Sequence, residues 1–328
     1  MGKYIVKRLL ISVCILFFAS FIIYAILRFL PTSYVEKKAL ELSQKGAAKS
    51  YSEWLVQLNA TYGLDSGILQ GFFTWLGSAI KGDFGESWYY SVPVIDKFKS
   101  VIGDSVAVSG ISLILQVGIA VPLGIKAAKN QYSKTDYTVT AFTLLGISLP
   151  SFFFGSILKL IFSVKLGWVD LYGKVGRYYN QLNSLGKFLD VASHLILPVA
   201  TLTMINIGSL MRYTRTNMLE VLNADYVRTA RAKGLPEKKV INSHAFRNTL
   251  IPIITILGME IPALFTGALI TETIFQIPGI GYTGYLAMTN GDIPFCMFYL
   301  VFTAVMTLLG TLIADILYAV ADPRIRIS

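Results

Sequence analysis

Six stretches of the chain, at 9–28, 106–126, 138–164, 195–213, 250–276 and 294–320, are apolar and near or above the length of a bilayer-crossing helix. About 20 helical residues cover ~30 Å of hydrocarbon. A soluble globule hides one or two such runs as core helices; six of them in 328 residues call for hydrocarbon on the outside as well. Composition agrees, with 54% hydrophobic and only 15% charged residues and a mean hydropathy of +0.59. The fold class expected is an all-α polytopic membrane protein with six transmembrane helices. Cys14 and Cys296 both fall inside apolar runs and supply no disulfide framework. The first run follows Lys3, Lys7 and Arg8, but it is too long for a signal peptide and lacks a small-residue cleavage site before Arg28. It reads as a retained anchor.

Cationic residues near span ends are held on the cytoplasmic side, which gives the orientation. With the N-terminus inside, the inner loops hold Lys126, Lys129 and Lys134, then the Arg and Lys cluster from Arg212 to Arg247, and finally Arg324 and Arg326. The outer loop 277–293 has no Lys or Arg. The loop at 165–194, with Lys165, Lys174, Arg177 and Lys187, runs mildly against this and is outweighed by its neighbour. Both termini are expected on the cytoplasmic side, with lipid as a partner. The formal net charge of +10 then needs no nucleic acid to explain it.

Two segments outside the runs are large enough to have work of their own. Residues 30–100, with "VEKKALELSQKGAAKSYSEWLVQLNATYGLD" and then "WLGSAIKGDFGES", are polar and partly helical, and a small extracellular cap after the first helix is expected there. Residues 224–248, "ADYVRTARAKGLPEKKVINSHAFRN", are strongly basic. Leu219, Leu222, Tyr226 and Ala230 fall on one helical face, Gly234 suits a helix exit and Pro236 a helix start. This reads as helix, sharp turn, helix. Tethered to the bilayer at both ends, it has no room to enter a DNA groove. An apolar stripe with no sequence of its own to cover it points to a partner protein.

"DYVRTARAKGL" followed by "HAFRNTLIP" resembles the cytoplasmic coupling loop of permease subunits in the oligopeptide/dipeptide class of type I ABC importers. "YIVKRLL", "GDFGES", "GISLPSFFFG", "SVKLGW", "TETIFQIPGIG" and "DPRIR" are similar to the same family in the same order. The wider superfamily has a Glu-Ala-Ala triplet where Arg228, Thr229 and Ala230 stand here, so no role can be borrowed from the leading Glu. Gly234 matches the superfamily Gly, and His244-Ala245-Phe246-Arg247 replaces the Ile-x-Leu-Pro ending. The resemblance implies the type I importer permease fold, divided into an anchor and cap at 1–100, a core at 101–321 with the coupling loop at 214–249, and a cytoplasmic tail at 322–328. It implies a coupling helix seated in a cytoplasmic ATPase, formed by Asp225, Tyr226, Arg228, Thr229, Ala230, Arg231, Ala232, Lys233, Gly234 and Leu235. Tyr226, Ala230 and Leu235 would fill an apolar groove; Arg228, Arg231 and Lys233 would meet acidic groups at its rim. The resemblance also implies a bacterial plasma (inner) membrane, and as partners a second, homologous permease chain, two ATPase subunits and an extracellular substrate-binding protein, with peptides as cargo.

The chain has no Gly-x-x-x-x-Gly-Lys-Ser/Thr run, so no cofactor is expected on it, and ATP and Mg belong to the partner subunits. "GIGYTG" at 279–284 fits a dinucleotide fingerprint but lacks the βαβ context, and a tight loop between the fifth and sixth spans is expected instead. His194 and His244 fall on opposite sides of the membrane, with no metal motif and no nucleophile elbow, so no catalytic or metal residue is named. His194 is expected to cap or lead the fourth span. The competing class is an ion-driven secondary transporter, which needs ionisable residues near the midplane. Lys159, Glu260, Glu272 and Asp315 are the candidates, Glu272 and Asp315 toward span ends within reach of water. Glu260, midway along the fifth span, is either a wall of the translocation path, together with Glu272, or a structural hydrogen-bonding group.

Overall fold

The computed structural model describes residues 2–29, 34–45 and 49–321, and its elements are all helices. The tail at 322–328, with "DPRIR", lies outside the described residues, as do 30–33 and 46–48 of the expected cap. α1 (Gly2–Phe29) carries the first apolar run. Leu10, Val13, Phe18 and Phe29 on it stay exposed, as side chains facing lipid do. α2 (Tyr34–Gln44) and α3 (Tyr51–Thr61) pair beyond its end, and α4 (Ile68–Ala79) returns against α1. Arg28 donates to the carbonyls of Gly63, Leu64 and Ser66, which closes this segment onto α1.

α5 (Val94–Lys129) starts ahead of the boundary expected at 100. α6 (Lys134–Ser148) and α7 (Ser151–Leu158), extended by a π-helical turn over Lys159–Lys165, hold the third apolar run. That run is not one helix: its two halves meet at 103°. Pro150 is the cause, since it lacks a donor and holds Leu149 in extended backbone at φ −90°, ψ 126°. α8 (Ser184–Leu222) is far longer than the expected 195–213. Gly146 of α6 and Gly208 of α8 let the two backbones touch: a Cβ on either would lie 2.7 Å from a carbonyl of the other helix.

α9 (Asp225–Ala232), α10 (Glu237–Lys239) and a π-helical turn over Val240–Ala245 form the basic segment and lead into α11 (Phe246–Thr266). The fifth run stops there and not at 276, because Gly267 takes φ +78° and turns the chain into the separate α12 (Leu269–Phe275). Where a tight loop was expected around 280, α13 (Ile280–Thr289) is a helix started by Gly279, and α14 (Ile293–Ala321) follows. Among the described residues four helices are long and apolar enough to cross a membrane, six if each bent pair counts as one span.

Packing sets the directions. Val108 of α5 meets Leu197 and Val199 of α8, and further along Ala128 of α5 meets Met218 of α8, so the two central helices run parallel. The intervening α6–α7 pair must therefore bring the chain back to its starting end. Gly258 and Pro262 of α11 approach Leu317 and Gly310 of α14, an antiparallel pair. Arg8 pairs with Asp315 at 2.6 Å, while Tyr24 packs with Phe295 and Phe298, so α1 and α14 are antiparallel too. The start of α1 and the end of α14 thus share an end with α9.

Candidate functional site

The basic segment forms the helix, corner and second helix read from its residues. Its apolar stripe, however, faces inward. Val227 and Ala230 are buried on Ala128 of α5, Met218 of α8 and Val240, Ile241 and Ala245 ahead of α11, with Leu219, Leu222 and Leu235 packed round them. The chain covers its own stripe, and Ala230 cannot enter a partner's groove. Tyr226 is on the other face, 46% exposed, with Asp225, Arg228, Thr229, Ala232 and Lys233. Partial burial pushes the Tyr226 hydroxyl above its ordinary pKa, and a hydrogen bond with Asn248 opposes that shift.

The corner is held in two ways. Gly234 takes φ +73°, a left-handed conformation, with open space where a Cβ would stand. Arg231 spans the corner, its Nε and Nη2 donating to the Glu237 carboxylate at 3.2 and 3.0 Å. Arg231 is therefore occupied within the chain, whereas Arg228 keeps only a loose 3.7 Å contact with Asp225 in solvent. Val227 and Glu237 were missed by sequence reasoning. A signal existed, since Val227 stands three residues before Ala230. Behind the segment, Arg215 of α8 makes a paired contact with the buried Asp136 of α6 at 2.5 and 2.8 Å.

Toward the middle of the molecule α5, α8 and α11 enclose a cleft of about 270 Å³. Glu260 stands in its wall and accepts from Gln116 Nε2 at 3.3 Å. Glu260 thus makes a hydrogen bond to a neighbouring helix and also faces the cleft. Ser112, Gln116 and Asn206 share the lining; these polar residues inside apolar runs were legible but unused. Glu272 is elsewhere and is not near water, as had been expected. It is completely buried, its carboxylate accepting from Ser105 at 2.7 Å and from the Ala268 and Tyr282 amides at 3.0 Å each. The break at Gly267 moves Glu272 off the fifth span and into a pin between α5, α12 and α13.

Lys159 donates to the Ile274 carbonyl at 2.5 Å and lies 3.7 Å from the Tyr172 ring. His194 is inside α8 and does not cap it; its ring is buried, with Nδ1 2.7 Å from the Asp190 carbonyl and Nε2 3.0 Å from Asp170. No group of three or more metal-ligating side chains occurs among the described residues. Asp292 starts α14 and accepts from Ser87 and from the amides of Trp88, Tyr89 and Phe295. Burial pushes its carboxyl above the usual range, against those hydrogen bonds.

A helical membrane core with a short helix seated on its end is the class these features define. Residues 120–327 match the family described as binding-protein-dependent transport system inner membrane component, and the chain belongs to it. It is 37% identical over 327 residues to the oligopeptide transport system permease protein AppB of Bacillus subtilis, covering 99% of this chain and 100% of that one. It is 34% identical over 339 residues to the di/tripeptide transport system permease protein DppB of Pseudomonas aeruginosa, covering 99% of each. To the oligopeptide transport system permease protein OppB of Haemophilus influenzae it is 33% identical over 328 residues, covering 99% of this chain and 100% of that one. The chain is thus a multi-pass inner-membrane permease subunit with ATPase and binding-protein partners; ATP belongs to the ATPases, and this subunit is a transport component and not the catalyst.

Proposed function

We propose that this chain forms half of a translocation path for peptides, beside a second, similar permease, with two cytoplasmic ATPases on α9 and its counterpart and a binding protein on the outer face. One observation carries the reading. The core under α9 is built from the ends of α5, α8 and the lead into α11, and the same three helices enclose the Glu260 cleft. A push on α9 therefore acts on the cleft walls without an intermediary. The outward set Asp225, Tyr226, Arg228, Thr229, Ala232, Lys233 and Gly234 docks in the ATPase, Tyr226 as the aromatic anchor. Ala230, Arg231 and Leu235 shape the helix from behind. Closure of the ATPases on ATP draws the paired coupling helices together and opens the path outward, and hydrolysis resets it.

Peptide is the cargo because the relatives carry oligopeptides and di- or tripeptides by name. Both termini and the segment 214–249 lie in the cytoplasm, the segment 30–93 outside. The test is reconstitution in proteoliposomes with ATP as the sole energy source. Uptake of a peptide held by the binding protein should stop when the ATPases are inactivated and persist under ionophores. Uptake by this chain without ATPases, driven by an imposed ion gradient, would overturn the reading.

A further inference from the structure

Among the described residues the buried or half-buried carboxylates fall into two groups. Glu272 accepts three hydrogen bonds and Asp292 four, Asp136 a two-point contact from Arg215 and a bond from the Tyr132 amide, and Asp190 a bond from the Gly176 amide, while Asp315 and Asp104 are paired with Arg8 and Lys174. Glu260 alone among them has neither a cationic partner nor a backbone donor. Its one hydrogen bond is the 3.3 Å contact to Oε1 from Gln116 Nε2, a group also 3.5 Å from the Asn206 carbonyl. Among the described residues no Lys, Arg or His forms an ion pair with it. Every other residue of the cleft is neutral. A carboxylate within a span, unanswered by the protein and open to a cavity, calls for a cation from the cavity.

We propose that Glu260, with Gln116 beside it, is the station in the cleft that receives an ammonium group of the cargo. This rests on the reading of the chain as a peptide importer and adds to it a chemical preference belonging to the permease. The fit is one of inventory. An ammonium has three donors, and the cleft supplies the Glu260 carboxylate with the side-chain oxygens of Gln116, Ser112 and Asn206 in the same lining. A charge-assisted contact of this kind favours entry of a peptide carrying the group and stays weak enough, with a single carboxylate, for the peptide to leave.

The ammonium has two possible sources, the peptide amino terminus and a lysine side chain. The complete complex in proteoliposomes is supplied with tripeptide pairs that saturate the binding protein equally, as read by its fluorescence. One pair differs by N-acetylation, the other by norleucine in place of lysine in N-acetylated peptides. The readout is the turnover ratio within each pair. The wild-type complex should favour the ammonium-bearing member by about tenfold, in the first pair if the terminus is recognised and in the second if lysine is. In Glu260→Gln the ratio should fall to about one, and Glu260→Asp should keep part of it. A wild-type ratio near one in both pairs overturns the assignment without recourse to a variant. So does a ratio that Glu260→Gln leaves unchanged, the result expected if Glu260 only ties α11 to α5 or meets a cation of the second permease. A complex that moves neither member under ATP overturns the peptide-importer reading itself, and this inference with it.

Discussion

At the scale of single residues, Gly234 and the Asp136–Arg215 pair separate two kinds of necessity. Gly234 is required by its backbone: at φ +73° a side chain meets nothing within 4 Å, so a substitution costs roughly 1–2 kcal/mol of local conformation and no clash. Asn and Asp tolerate that region better than β-branched residues do. Gly234→Asn should therefore keep most ATP-driven uptake and Gly234→Val should lose most of it, measured at matched membrane levels. Equal uptake by the two variants would remove the corner from the coupling mechanism. Asp136 and Arg215 are required by each other. Removing the guanidinium in Arg215→Ala strands a carboxylate with 4% of its side chain exposed, at a cost of about 3 kcal/mol. Replacing both with apolar residues, as in Asp136→Leu with Arg215→Met, should recover most of the lost melting temperature in detergent. If the double variant melts no higher than Arg215→Ala, the pair is not an isolated unit.

At the scale of elements, α9 has two faces with opposite predicted phenotypes. Val227 belongs to the core under the helix, so Val227→Asp buries a charge with no partner and should release the helix, lowering the amount of subunit recovered from membranes. Tyr226 faces outward, so Tyr226→Ala should leave recovery intact and weaken ATPase association by roughly tenfold or more. Reduced recovery of Tyr226→Ala with normal association would exchange the two faces. The elements were legible in the sequence wherever a periodic run ended in a local signal. The Gly234 corner and the Pro236 start depend on nearest neighbours and were read correctly. The breaks at Leu149–Pro150 and at Gly267 were not read, although Pro150 and Gly267 are plain in the sequence. A run of apolar residues looks the same whether the helix continues through it or turns within it, because hydropathy reports solvent and not direction. Glu272 was misplaced for that reason, and Ala230 because an amphipathic stripe does not say which neighbour covers it.

At the scale of the whole molecule, the loop at 166–183 carries the sharpest test of topology. Its charges point inward by the rule that cations stay in the cytoplasm, yet Lys174 pairs with Asp104 near the start of α5, and Gly173 donates to the Phe275 carbonyl of α12. Both contacts put the loop at the end opposite α9. In the folded chain Asp104 neutralises Lys174, so the loop's net positive charge is smaller than its sequence alone suggests. The parallel packing of α5 and α8 makes the same demand, since the bent α6–α7 pair must cross once as a whole. If that pair were instead a re-entrant hairpin, the loop would sit with α9. Single cysteines decide between these in a background where Cys14 and Cys296 are replaced by alanine. Val56→Cys on α3, Tyr178→Cys in the loop and Thr289→Cys at the end of α13 stand at exposed positions at one end, and Lys238→Cys at the other. In intact cells an impermeant thiol reagent should modify the first three and reach Lys238→Cys only after the membrane is opened. Protection of Tyr178→Cys together with labelling of Val56→Cys would show that α6 and α7 turn back inside the bilayer, and the six-span arrangement would fall.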